Sequence, residues 1–294
     1  MTSPDRLSLL KTFTTVAEAG ALSRAARSLN VSQPSVSRRI KTLEDLVGVR
    51  LLHRTTHQLT LTDEGARLLV AARQILTEWD AALDALSDDE PRGKLRIAAP
   101  VGLGQSRLMD EAATFVRRYP NVSIDWRLTD EMVDLIGGEA DLWVRIGGAF
   151  DDRLVIIRLT QVRRYLVAAP GALSSPREWA SLPFVALTPY NDAEITLYDR
   201  HGQERHWRPT IALSSDNIAA VKRAVLQDAG AALLPEWLVE QELDAGRLIR
   251  LAPSLEGARL ALSVAYAPDR GRPQRLRRFI DQLTESFKTT KQLR

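Results

Sequence analysis

Apolar residues recur at helical spacing from Leu7 to Ala19, with Leu10, Phe13, Val16 and Ala17 on one side and Gly20 as the stop. Ser23, a good N-cap, starts a short second helix through Ala25, Ala26 and Leu29, which Asn30-Val31-Ser32 breaks. A third helix runs from Gln33-Pro34 to Val47-Gly48, with proline suited to its first turn and glycine to the residue past its end. Val36, Ile40, Leu43 and Val47 stack on one face at steps of four, three and four, while Pro34, Ser37, Arg38 and Lys41 project opposite. Two short strands follow, Val49 to Arg54 and Gln58 to Leu61, joined by a turn near Thr55-Thr56-His57 that reads as a wing.

A long helix is predicted from Thr62 to Ser87, with Thr62 as its cap and Asp63 and Glu64 matching the positive end of its dipole. Leu69, Ala72, Leu76, Trp79, Leu83 and Leu86 recur at steps of three, four, three, four and three, the spacing of a coiled-coil seam. One helix cannot bury such a stripe alone. The chain's own core and a partner helix are both open, and the heptad regularity favours the partner. Asp88-Asp89-Glu90-Pro91-Arg92-Gly93 ends the helix and reads as a hinge.

From Lys94 onward strand-like and helix-like pieces alternate. Strands are predicted at Lys94 to Ala99, Val122 to Leu128, Leu142 to Ile146, Tyr165 to Ala168, Phe184 to Leu187 and Ala231 to Leu234. Helices are predicted at Ser106 to Tyr119, with Leu108, Met109, Ala112, Phe115 and Val116 inward, and at Asn217 to Asp228. Such alternation predicts a parallel sheet with crossover helices, which binds ligands where loops converge at the carboxyl ends of strands.

The net charge of +3 over 294 residues is mild, but its distribution is not. Basic residues dominate through Thr60, whereas acidic ones dominate from Leu61 to Glu90. A basic head on an acidic neck points only the head at a polyanion. The chain has no cysteine, which excludes disulfides, thiolate zinc sites and cysteine nucleophiles, and a cytoplasmic protein fits best. No apolar run approaches the roughly 20 residues that cross a bilayer, and no membrane partner is expected.

Enzyme chemistry finds little support, and no cofactor is expected. No phosphate loop, dinucleotide fingerprint or G-x-S-x-G elbow is present. His201 and His206 sit in a polar segment from Asp199 to Arg208 that reads as a hairpin, without the converging ligands a metal needs.

The run from Ala21 to Glu44, continuing through Val47 to Thr56, Leu59 to Thr62 and Gly65, resembles the helix-turn-helix of LysR-type transcriptional regulators. Scattered matches extend over nearly all the rest: Ala98 to Gly102, Arg118-Tyr119-Pro120, Asp141 to Gly147, Ala229 to Pro235 and Asp244 to Leu248. Leu52 stands where the family usually has phenylalanine, a packing change, and His57 where the wing often has arginine, which weakens a phosphate contact or makes it pH-sensitive.

The resemblance implies a winged helix-turn-helix head over 1–61, a linker or dimerisation helix over 62–90, and an α/β effector-binding domain over 91–294. That last domain is expected to have two lobes like a periplasmic binding protein, with a small organic metabolite in the cleft. Lobe 1 is expected at about 94–161 and 267–290, and lobe 2 at about 162–266. The chain is expected to cross between lobes at Leu159 to Arg163 and Ala265 to Pro268, with a helix from Gln274 to Lys288 returning to the first. It also implies a homodimer or homotetramer joined through Leu69, Ala72, Leu76, Trp79, Leu83 and Leu86, acting on double-stranded promoter DNA, and leaves RNA polymerase open as a protein partner.

Gln33, Ser35, Ser37 and Arg38 are the candidates for base or flanking phosphate contact, since small polar and basic groups suit the major groove. Pro34 and Lys41 share that face, and Ser23 and Ser32 are further DNA-contact candidates; Arg39 reads either as a contact or as an ordinary surface charge. Arg50, Arg54, Thr55 and His57 suit the phosphate backbone. In the effector domain the candidates are Pro100, Val101 and Gly102 in the first strand-to-helix loop, Ser106 as an anion site, and Arg145 with Ile146 at a strand end. Arg145 suits a ligand carboxylate or a structural ion pair. Ser215 and Asn217 suit a ligand or a helix cap, and capping is favoured. The loop Ala99 to Gly102 carries few charges, which suggests a small, partly apolar effector.

Overall fold

A computed structural model describes residues 5–54, 59–86, 90–148, 150–172, 179–188, 194–268 and 273–292. The wing residues Thr55, Thr56 and His57 lie outside the described residues, as do Asp88 and Asp89 of the expected hinge and the side chain of Arg54.

The head packs α1 (Arg6–Ala19), α2 (Leu22–Ser28) and α3 (Gln33–Val47) beside a hairpin of β1 (Leu52–Arg54) and β2 (Leu59–Leu61). Gly20 and Gly48 end their helices with φ of 62° and 76°, the left-handed caps that glycine adopts without a Cβ penalty. Phe13, Val16, Ala25, Val36, Ile40 and Leu51 form its core. Three expectations change. The inward partner on α1 is Leu9, with Leu10 only half-buried. Ala21, not Ser23, precedes α2 and makes no side-chain cap bond, so Ser23 is an exposed first-turn residue. Val47 is 40% exposed, and buried Glu44 takes the inner position instead. The Leu51 N–H donates to Glu44 Oε1 at 2.9 Å, so a carboxylate serves the backbone where the chain turns from α3 into the hairpin.

Helix α4 (Asp63–Leu86) is stapled to this unit at its start. Thr62 Oγ1 accepts the Gly65 N–H at 2.9 Å and donates to the Arg50 carbonyl at 2.8 Å. The expected seam divides along its length: Ala72 is buried in the head's own core with Leu69 packed against it, whereas Trp79 (48%) and Leu86 (86%) are exposed.

The remaining chain forms β3 (Gly93–Ala99), α5 (Val101–Gly104), α6 (Arg107–Arg118), β4 (Val122–Leu128), β5 (Leu142–Ile146) and β6 (Val155–Ala168). It continues through β7 (Phe184–Leu187), β8 (Ile195–Asp199), β9 (Glu204–Trp207), β10 (Ile211–Ser215), α7 (Ile218–Leu226), β11 (Ala232–Pro235) and α8 (Glu236–Asp244). Last come β12 (Ile249–Arg250), β13 (Leu255–Tyr266) and α9 (Gln274–Gln292). The sheet is mixed rather than parallel. β3 pairs in parallel with β4 and β5, but the long strands β6 and β13 run antiparallel to each other and to their other neighbours. Met109 of α6 is exposed, whereas Leu108, Ala112 and Phe115 are buried.

Strands β6 and β13 connect two cores. Leu159 and Val162 belong to the first lobe's core, with Ile97, Phe115 and Val144, and Tyr165 and Val167 to the second's, with Val221 and Leu234. On the return strand, Leu262, Val264 and Tyr266 already lie in the first lobe's core. The second crossing therefore precedes the expected Ala265 to Pro268, near the register shift between Gly257 and Leu260. The cause is pairing: β13 follows β6 back across the boundary. Helix α9 then seals the first lobe with Leu276, Phe279, Leu283 and Phe287.

Polar contacts bind head, linker helix and first lobe. Glu18 on α1 accepts from Lys94 Nζ at 2.9 Å and Arg73 Nη2 at 3.4 Å. Arg73 Nη1 donates to the Gly138 carbonyl at 3.1 Å, and Arg275 Nη2 lies 2.9 Å from Asp80 Oδ2.

Candidate functional site

The outer face of α3 is set by what holds its inner face. Val36, Ile40 and Leu43 are buried, so Gln33, Pro34, Arg38 and Lys41 stand exposed on a helix whose first turn is presented to solvent. Ser32 caps this helix: its Oγ accepts the Ser35 N–H at 3.4 Å and lies 2.9 Å from Ser35 Oγ. The pair thus orders the turn that displays Gln33 and Pro34. Ser37 is half-buried. Arg39 Nη1 reaches Thr12 Oγ1 at 3.4 Å, so Arg39 braces α3 on α1. Arg50 is largely exposed beside Glu44 Oε2 at 3.7 Å, which leaves most of its guanidinium facing solvent.

Between the lobes lies a cavity of about 500 Å³, in the size range of small-molecule sites. Pro100, Gly102, Arg145 and Ile146 line it; Val101, Ser106, Ser215 and Asn217 do not. Val101 instead gives its N–H to Asp130 Oδ1 at 3.2 Å. The Ser106 hydroxyl donates back to the Gly102 carbonyl at 3.2 Å, so it is no free anion donor at the start of α6. Asn217 Oδ1 accepts the Ala219 and Ala220 N–H groups at 2.9 and 3.1 Å, and Ser215 Oγ accepts the Asn217 N–H at 3.1 Å. Both residues build the start of α7, as the capping alternative had it.

The Arg145 guanidinium lies 4.8 Å from the Trp143 ring centre and 5.8 Å from that of Phe150, with Nη1 3.0 Å from Met132 Sδ. These contacts set its guanidinium against an aromatic wall. Gly102 brings the lobes together: a Cβ there would lie 2.6 Å from Ile218 Cγ2 and 3.2 Å from Trp237 Cη2.

Sequence reasoning passed over Asp130, Arg164, Glu194, Asp216 and Trp237, all on the cavity wall. Asp130 was within reach, because it follows a strand's carboxyl end. Asp216 sits between the two residues that were singled out.

The fold and this pairing of sites agree with the comparisons. Residues 7–66 match the model of the bacterial regulatory helix-turn-helix protein, lysR family, and residues 88–288 match that of the LysR substrate binding domain. The regulator PtxR of Pseudomonas aeruginosa is 33% identical over 287 residues, covering 95% of this chain and 92% of PtxR. The chain belongs to the LysR family of transcriptional regulators. CrgA of Neisseria meningitidis serogroup C is 32% identical over 288 residues, 95% of this chain and 96% of CrgA. The solved CrgA structure has a TM-score of 0.60 at 28% identity, covering 98% of this chain and 99% of its own. Full-length AphB of Vibrio cholerae shares the fold, with a TM-score of 0.59 at 24% identity, covering 95% and 98%. This LysR-type regulator therefore binds promoter DNA through its helix-turn-helix, takes a small-molecule effector in its substrate domain, and assembles into oligomers. Among the described residues no helix is long and apolar enough to cross a membrane.

Proposed function

We propose that the exposed face of α3, with Gln33, Ser35, Ser37, Arg38 and Lys41, reads the major groove of double-stranded promoter DNA, and that Arg50, Arg54, Thr55 and His57 track the phosphates. The observation that carries this is the division of α3: three buried aliphatic side chains fix one face, which aims Arg38 and Lys41 outward.

Trp79, Leu83 and Leu86, with Ile75 beside them, form the exposed half of the linker-helix stripe. A second copy covers it, giving a homodimer or a homotetramer of paired heads. A small organic metabolite occupies the interlobe cavity and shifts the lobes, which works only if it binds the two arrangements with different affinity. Binding beside a promoter places the regulator within reach of RNA polymerase.

A footprint on the DNA upstream of the regulator's own gene tests this, at two salt concentrations, with Arg38→Ala and with a small-molecule cell extract. Protection of a dyad that Arg38→Ala abolishes supports the DNA face, and a footprint altered by the extract supports the effector. A dyad protected equally by Arg38→Ala rules out the assigned face.

A further inference from the structure

The interlobe cavity carries two carboxylates from opposite lobes. Asp130 follows β4 in the first lobe; Asp216 lies between β10 and α7 in the second. Burial pushes the Asp130 carboxyl above its ordinary value and the charge of Asp216 adds to the rise, although the Val101 N–H pulls the other way. The charge of Asp216 is therefore felt at Asp130 across the gap.

Charges elsewhere on the wall have partners of their own. Arg145 rests on the Trp143 and Phe150 rings. Arg164 Nε donates to the Ala258 carbonyl at 2.9 Å, and Glu194 Oε2 accepts from Arg208 Nε at 2.6 Å. Among the described residues, no cation forms an ion pair with Asp130 or Asp216. Trp237 lines the same wall, and its indole N–H is buried without an acceptor among the described residues. A buried donor without a partner is costly, so a ligand acceptor at Trp237 is favoured.

We propose that the cleft takes an effector bearing a protonated amine, an ammonium or guanidinium group seated between Asp130 and Asp216, with an acceptor atom of the same molecule at the Trp237 indole N–H. This rests on reading the cleft as the effector site. Leu103, Ile146, Ile218 and Leu260 give such a molecule apolar walls for a short aliphatic stem. Two like charges on facing lobes oppose closure, and a cation between them removes that opposition. Its affinity is then higher for the closed lobes than for the open ones, which is the difference a switch requires.

The test is the thermal unfolding midpoint of the full-length protein at fixed ionic strength, with agmatine and putrescine against butanol, butyrate and succinate. The amines raise the midpoint, and Asp130→Asn and Asp216→Asn each weaken their apparent affinity at least tenfold while leaving the ligand-free midpoint equal or higher. An amine response that survives both substitutions overturns the proposal, and so does silence from every amine. A carboxylate that binds and alters the promoter footprint preserves the effector reading while ending this one.

Discussion

Gly102 of the first lobe approaches Ile218 of the second so closely that a methyl group added at Gly102 would lie 2.6 Å from Ile218 Cγ2. The absence of a side chain is therefore what lets the two lobes approach this closely at Gly102. Gly102→Ala is expected to cost about 1–3 kcal/mol by overpacking, and to blunt the response of the promoter footprint to metabolite extract. Denaturant unfolding and footprinting read the two effects separately. Unchanged stability with an unchanged response would mean that Ile218 and Trp237 simply move aside.

Glu44 is a buried carboxylate whose Oε1 accepts the Leu51 N–H. Glu44→Ala leaves that donor without its partner, a loss of about 1–3 kcal/mol, whereas Glu44→Gln keeps an acceptor and costs less. Chemical denaturation of the three proteins should rank them in that order. Equal losses in both variants would show that charge, rather than the hydrogen bond, matters here.

The cap on α3 has a smaller effect. Ser32→Ala is expected to cost about 1 kcal/mol and to weaken DNA binding through a frayed first turn. Titration of promoter DNA at one salt concentration checks it, with Ser32→Asn, a neutral cap, as the rescue. Failure of the asparagine to restore affinity while it restores stability would argue that the serine hydroxyl itself touches DNA.

Trp79 and Leu83 stand exposed on α4, so substituting both with aspartate should leave each copy folded and separate the copies. Sedimentation velocity reads the mass directly. An oligomer that persists in the double variant would move the main interface elsewhere.

Glu242 accepts from Lys222 Nζ at 3.1 Å and Arg247 Nε at 2.6 Å. Burial works against its charged form, but these two bonds outweigh that and hold the carboxyl below its ordinary value. A depressed folded value gives stability that is present above the ordinary carboxylate range and lost as pH falls through the depressed one. Glu242→Gln should therefore lower stability at neutral pH and flatten the acid limb of the unfolding curve. Parallel curves down to the acid limit would contradict this.

Local rules carry the head: caps, periodicity and the proline in the first turn of α3 all act within a few residues, and its three helices were legible from them. Glu44 was not, because its burial is decided by Leu51 returning from the hairpin. The heptad spacing of α4 is the same whether the stripe meets its own head or another copy, and Ala72 and Trp79 meet different fates for reasons no spacing encodes. In the cleft, Pro100 and Gly102 follow from a strand end, whereas Trp237 reaches the wall only through the packing of α8. Strands β6 and β13 escaped the parallel expectation because their partners are each other, across a boundary that periodicity does not mark.

Glu18 clasped by Lys94 and Arg73, together with Asp80 against Arg275, joins head, linker and first lobe into one lever. Closure of the cleft is then borne by the second lobe, the jaw farthest from the DNA in this chain of contacts. Nothing in that motion bends the head against its own first lobe. On the proposed reading, the message leaves through whatever the second lobe leans on, and it reaches the promoter as a change of spacing between heads of different copies. A lone copy would then hold an effector and grip DNA, yet be deaf to the one while doing the other.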